Sequence, residues 1–209
     1  METDPAADLI TSEAGLAEIY GEASQASRVK ELDHISDDYR AFIEASPFVV
    51  LATAGPEGLD TSPRGDPAPV AHVIDRHTLA LPDRRGNNRI DSLRNIVRDP
   101  RVALIFLIPG IGETIRVNGR ARISVAPDLL ERHAMQGKPP RSVILVTAER
   151  VYFQCQKALA RSRLWAADSQ LARDALPSTG SMLGRMSTGG IDGAAYDAEY
   201  PERLRQTIY

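Results

Sequence analysis

Glu113-Thr114-Ile115-Arg116-Val117-Asn118-Gly119-Arg120-Ala121-Arg122-Ile123-Ser124 alternates without a break. Ile115, Val117, Gly119, Ala121 and Ile123 are small or apolar, while Thr114, Arg116, Asn118, Arg120 and Arg122 are polar. A period of two is the mark of a strand with one buried face. Asn118-Gly119 is otherwise the strongest short signal for a two-residue hairpin turn. A turn there would set Val117 against Arg120 on one face and destroy the alternation, so the segment reads as one long strand. Gly119 then marks a bend or the close approach of another backbone.

Further strands surround this one. Residues 48–52 read as a buried strand by their β-branched content, 101–108 as another buried strand and 143–155 as a long strand. Gly55-Pro56-Glu57-Gly58 is a turn, after which 61–66 returns as a polar strand or loop. Residues 70–75 and 78–81 form a hairpin around Arg76-His77. A helix is expected over 88–98, with Ile90, Leu93, Ile96 and Val97 on one face and Asp99-Pro100 as its stop. Residues 127–136 and 156–166 read as short helices. Residues 8–46 read as helical, with Ser36 as a partial cap and Ser46-Pro47 as the end. The chain beyond Asp168 is rich in Ser, Gly, Pro and Asp, with a weak helical patch over 196–205. About six strands interrupted by short helices suggest a mainly β fold, a closed or split barrel rather than alternating βα units. Three regions follow: a helical extension at 1–46, a barrel at 47–166 and a tail at 167–209.

Composition narrows the function. The chain has 209 residues, 43% of them hydrophobic, and a net charge of −3. That balance argues against general nucleic-acid binding, which needs a basic excess. No apolar run reaches the roughly 20 residues that span a bilayer. The acidic start, METDPAADLI, does not read as a signal peptide, so the expected address is the cytoplasm, with no membrane partner. Cys155 is the single cysteine, which excludes an intrachain disulfide and a cysteine-based metal cage. The four histidines, His34, His72, His77 and His133, show no metal-ligand spacing. Nucleophile-elbow and phosphate-loop motifs are absent, and Gly110-Ile111-Gly112 fails the dinucleotide fingerprint.

Four polar clusters could carry chemistry. Asp83-Arg84-Arg85-Gly86-Asn87-Asn88-Arg89 precedes a helix whose free N–H groups suit a phosphate. Asn87 or Asn88 could cap that helix, and the arginines match phosphate oxygens in geometry. A solvated cap with surface arginines accounts for the same residues. Ser62 and Arg64 could bond a ligand, or form a polar edge strand in which Arg64 pairs with Asp66. The polar face from Thr114 to Arg122 suits an anion or plain solvent. Lys157, Arg161 and Trp165 lie four apart on one helical face, where an indole can stack on a planar ring or cap the core.

These clusters, in this order, resemble the pyridoxamine 5′-phosphate oxidase-like superfamily, and within it a bacterial branch of FMN-dependent enzymes of undefined substrate. The stretches that carry the resemblance are SPRGD at 62–66, LPDRRGNNRIDSLRNI at 81–96, PRVALIFLIPG at 100–110, GETIRVNGRA at 112–121 and KALARSRLW at 157–165. The resemblance implies a six-stranded split β-barrel, paired as a homodimer with flavin mononucleotide (FMN) at the interface. It implies that Asn88 and Arg89 bind the phosphate, that Thr114, Arg116, Ser62 and Arg64 lie along the cofactor, and that Lys157, Arg161, Ser162 and Trp165 come from the second subunit. His72 stands where relatives place an arginine or lysine beside the flavin, and Gln154 where a histidine is expected. The implied activity is a flavin-dependent oxidoreductase using a small-molecule substrate or an electron donor such as NADH or NADPH. An F420-dependent reductase on the same barrel, and a non-catalytic flavin- or haem-binding protein, are the alternatives. No residue stands out as an obligatory acid or base, so no catalytic residue is assigned.

Overall fold

A computed structural model describes residues 9–209, in two compact units that divide between Glu31 and Leu32. The first unit contains helices α1 (Glu13–Ile19) and α2 (Gln25–Val29). Each is capped by a serine: Ser12 Oγ accepts from Gly15 N at 3.1 Å, and Ser24 Oγ from Ser27 N at 3.3 Å. The continuous helical stretch expected over 8–46 is therefore three helices, because Gly21 and the run before Ser36 interrupt it; its start at Asp8 lies outside the described residues. The third, α3 (Asp37–Ala45), belongs to the second unit and buries Tyr39 and Ile43. Ser36 does cap it, accepting from Tyr39 N at 3.2 Å.

Among the described residues, seven strands form one antiparallel sheet: β1 (Phe48–Gly55), β2 (Gly58–Gly65), β3 (His72–Asp75), β4 (Thr78–Asp83), β5 (Arg101–Leu107), β6 (Thr114–Ser124) and β7 (Ser142–Gln154). Their order is β2-β1-β5-β6-β7-β4-β3, and the ladder does not close on itself. The count exceeds the expected six because 58–65 is a full strand. All eight of its residues pair with β1, from Gly58↔Gly55 to Gly65↔Phe48. Its exposed and half-buried side chains carry no apolar pattern, so backbone hydrogen bonding alone makes it a strand.

The long central strand is continuous, as its alternation requires. Ile115, Val117 and Ala121 are buried beside Leu104 of β5 and Leu51 of β1, in a core that Val49, Phe106, Val146 and Val151 extend. The β6–β7 register shifts between Asn118 and Gly119, leaving Glu149 unpaired as a bulge. A Cβ on Gly119 would lie 2.0 Å from Thr147 O, which is backbone and has nowhere to go. The glycine thus sits where the β7 backbone leaves no room for a side chain on β6. Helix α4 (Asp91–Arg98) packs against β1 with Ile96 inward; α5 (Pro127–Arg132) contacts β7, and α6 (Lys157–Ser162) follows β7 in the chain. In the tail, α7 (Thr179–Met186) and α8 (Gly193–Thr207) pack on each other; α8 is longer than the patch the sequence suggested, and α7 had no clear signal.

One polar side chain is buried against type. His133, just after α5, is 5% exposed, and neither ring nitrogen has a hydrogen-bond partner among the described residues. Its ring stands 4.4 Å from that of His72. Burial pushes the His133 pKa down from 6.5 to about 4, and His72 and Arg84 act in the same direction. His72 is lowered too, chiefly by burial.

Two predictions result. Gly119→Ala should destabilise the fold by about 2–4 kcal/mol in denaturant titration, because the clash is with main chain; an unchanged midpoint would refute the close approach. For His133, the unfolded chain binds its proton near 6.5 and the folded chain only near 4. The unfolded state therefore holds more protons between these values, so stability is complete above the upper one and is lost as pH falls toward the lower. Thermal melts from pH 7 to 4 should show a falling Tm, with a shallower fall in His133→Leu.

Candidate functional site

β2 lies at one end of the sheet and β4 near the other, and their C-terminal ends meet through crossed ion pairs. Arg64 of β2 pairs with Asp83 of β4, and Arg84 pairs with Asp66 at 2.7 Å. All four side chains are largely buried, Asp66 to 4% exposure. Beside this seam opens a cleft of about 720 Å³, lined by β2, the 82–93 segment and the start of β7. That volume is within the usual range for a small-molecule site.

Five arginines and four aspartates line the cleft, so its character depends on which are paired. Arg64, Arg84 and Arg89 each hold an aspartate, Arg89 binding Asp91 at 2.8 Å. Asp60 accepts from Ser92 Oγ at 3.1 Å. Arg85 and Arg141 have no carboxylate partner among the described residues, and Arg141 reaches only the amide oxygen of Asn88, at 2.9 Å. Two of the lining residues also carry a buried atom left over: Arg64 Nε and Ser142 Oγ have no hydrogen-bond partner among the described residues. Buried polar atoms are normally satisfied, so a donor and a hydroxyl orphaned beside uncompensated cations suit an anionic acceptor.

Of the residues singled out from sequence, Ser62, Arg64, Asn88 and Arg89 meet in this cleft. The helix there begins three residues later than expected. Asn88 and Ile90 adopt left-handed backbone, with φ of 61° and 53°, so α4 starts at Asp91 with Ile90 as an N-cap that makes no side-chain bond. Neither Asn87 nor Asn88 caps it: Asn87 Oδ1 accepts from Arg89 N at 3.1 Å, and Asn88 turns to Arg141. Arg64 pairs with Asp83 rather than Asp66, because Arg84 has taken Asp66.

The remaining candidates lie elsewhere. Thr114 is buried at the start of β6, and Arg116 stacks over Tyr152 with its guanidinium carbon 5.0 Å from the ring centroid. His72 packs on His133 and does not line the cleft. Lys157 and Arg161 are exposed on α6, and Ser162 Oγ donates to Leu159 O at 3.1 Å. Trp165 donates from Nε1 to Ile111 O at 2.8 Å, which ties the end of this helical region to the loop before β6. Within one chain, then, the α6 cluster and the cleft are separate. Arg141 and Ser142 were missed from sequence, although the basic run Lys138-Pro139-Pro140-Arg141 ahead of a buried strand was there to be read.

No group of three or more His, Cys, Asp or Glu among the described residues could hold a metal ion. No helix among them is long and apolar enough to cross a membrane.

Comparison with known proteins gives the family. No curated protein matches this sequence. HupZ of Group A Streptococcus is similar in structure, with 16% identity over 56% of this chain and 91% of its own and a TM-score of 0.46. A Clostridium acetobutylicum protein related to general stress protein 26, of the pyridoxinephosphate oxidase family, has 15% identity over 56% and 86% and a TM-score of 0.45. An FMN-binding protein of Syntrophomonas wolfei has 12% identity over 55% and 82% and a TM-score of 0.42. The family model for pyridoxamine 5′-phosphate oxidase matches residues 35–155, from the start of α3 to the end of β7 and so across the whole sheet. The chain belongs to the pyridoxamine 5′-phosphate oxidase family.

Proposed function

We propose that this protein binds FMN in the cleft at the β2–β4 seam and serves as a flavin-dependent oxidoreductase. The observation that carries the reading is the uncompensated pair Arg85 and Arg141 in a cleft whose lining residues Arg64 and Ser142 each keep a buried polar atom, Nε and Oγ, without a partner among the described residues. A terminal phosphate supplies the acceptor oxygens these groups lack, and Ser62, Asn88 and Arg89 line the same space. When bound, the flavin supplies the two-electron chemistry, and the protein's part is to orient it and tune it. Thr114, Arg116 and His72 are offered toward the cofactor by the family resemblance. His72 favours its neutral form, so of these three only Arg116 would bring a full positive charge at neutral pH.

A homodimer is part of the proposal. Trp165, Lys157, Arg161 and Ser162 do not line their own chain's cleft, so their role in cofactor binding requires that a second copy present α6 to it. Trp165 is 36% exposed and already fixed at Nε1, which leaves a ring held in place and open to stacking. Substrate and donor belong to the small-molecule class, with NADH and NADPH as the donors to try first.

Arg89→Ala is the cleanest test, since Arg89 is exposed and its loss strands no buried charge, whereas truncating Arg64 would leave Asp83 unpaired. The variant should fold normally, bind FMN roughly 10- to 100-fold more weakly and purify without yellow colour. Wild-type protein that retains no flavin, or a variant that loads it equally well, would overturn the assignment. A released cofactor with the spectrum and mass of F420 instead of FMN would move the reading to the deazaflavin.

A further inference from the structure

We propose that Tyr209 is a positioning residue for the cleft, and that α8 is the strap that delivers it. Tyr209 Oη donates to Asp66 Oδ1 at 2.9 Å, across 143 residues of chain. Asp66 Oδ2 accepts from Arg84 Nε at 2.7 Å and from its Nη2 at the same distance. Arg84 Nη1 donates onward to His133 O at 2.7 Å. All three nitrogens of Arg84 are thus committed, and the guanidinium is a fixed part of the cleft wall. Its carbon also lies 5.9 Å from the centroid of the Tyr209 ring.

Tyr209 does not itself line the cleft. It lines a smaller neighbouring concavity of about 260 Å³, whose wall shares Arg84, Arg85 and Arg141 with the larger one. Its influence on the cleft therefore passes through Asp66 and Arg84. The buried Asp66 carboxylate needs every donor it has, and the tyrosine supplies the only one at Oδ1 among the described residues.

The strap is held at its end. α8 buries no residue of its own and packs chiefly on α7. At Tyr209 it is gripped twice, by Asp66 through the side chain and by Lys138 Nζ, which donates to the Tyr209 carbonyl at 3.1 Å. Asp197 ties α8 to the start of α7, accepting from Gly180 N at 2.8 Å and from Ser178 Oγ, so the two helices move as a pair whose grip on the cleft side is at Tyr209. A pair with little burial opens and closes there as that anchor does. Closed, it fixes Arg84; open, it lets Asp66 and Arg84 relax and loosens one wall of the ligand site.

The inference rests on the FMN reading for one of its two readouts. The test is a double-mutant cycle of Tyr209→Phe and Arg84→Gln in the full chain, with Arg84→Lys in place of the glutamine variant if that does not fold. FMN dissociation from the holoprotein should quicken about tenfold in Tyr209→Phe, and the same change should add nothing in the Arg84 background. Additive effects, or a dissociation rate within about twofold of wild type, would overturn the proposal. A purely structural tyrosine would lower Tm in both backgrounds alike. If wild-type protein retains no FMN, the flavin reading fails separately, and amide hydrogen exchange over 83–91 decides the strap. Exchange there should quicken in Tyr209→Phe and no further in the double variant; unchanged exchange sinks the strap.

Discussion

Two crossed ion pairs, Arg64–Asp83 and Arg84–Asp66, join the ends of a sheet whose ladder does not close. β2 and β4 share no backbone pairing, so these side chains do at the seam what hydrogen bonds do along the rest of the sheet. Taking four charges out of water is costly, and their mutual attraction offsets that cost only with good geometry. A hydrophobic seam of equal volume could hold the edges as firmly. It could not present polar atoms to a cleft, and here Arg64 keeps Nε in reserve while its terminal nitrogen serves Asp83. The seam is both a structural tie and one wall of the site.

Pairing also explains how an acidic protein makes a cationic site. With a net charge of −3, the chain has no long-range pull on anions. Within the cleft, however, three arginines are neutralised by aspartates and two have no carboxylate partner among the described residues, so the field is concentrated at Arg85 and Arg141. The paired arginines contribute shape and hydrogen-bond direction; the unpaired ones contribute charge. Pro139 and Pro140, which precede Arg141, limit the freedom of that segment and lower the entropy lost when a ligand is gripped.

Where burial follows a period, the fold was legible. Ile115, Val117 and Ala121 announced a continuous strand through an Asn-Gly pair, and Gly119 announced the close approach of β7. β2 was half hidden, because a strand made by pairing alone leaves no apolar signature. The start of α4 was misplaced because Asn88 and Ile90 take left-handed backbone, and a branched residue in that region has no signal in sequence. The cleft was legible only in its local pieces, Ser62 with Arg64 and Asn88 with Arg89. Arg141 and Ser142 come from a segment some fifty residues further on, and only the β4–β7 pairing, Asp83↔Ser142, brings them in. Tyr209 was out of reach for the same reason.

The histidine pair shows the same economy of charge from the other side. His72 occupies a position for which the family resemblance suggests a permanent cation, yet it is packed on a second imidazole and keeps its neutral form. A third positive charge beside Arg84 would have to be balanced by Asp66, whose oxygens are already shared between Arg84 and Tyr209. Neutral rings avoid that competition and leave the Asp66–Arg84 bond intact. On the proposed reading, Arg116, which stacks on Tyr152, would then be the cation of its own chain beside the flavin ring. That arginine, rather than either histidine, would set how readily the bound cofactor carries negative charge when reduced.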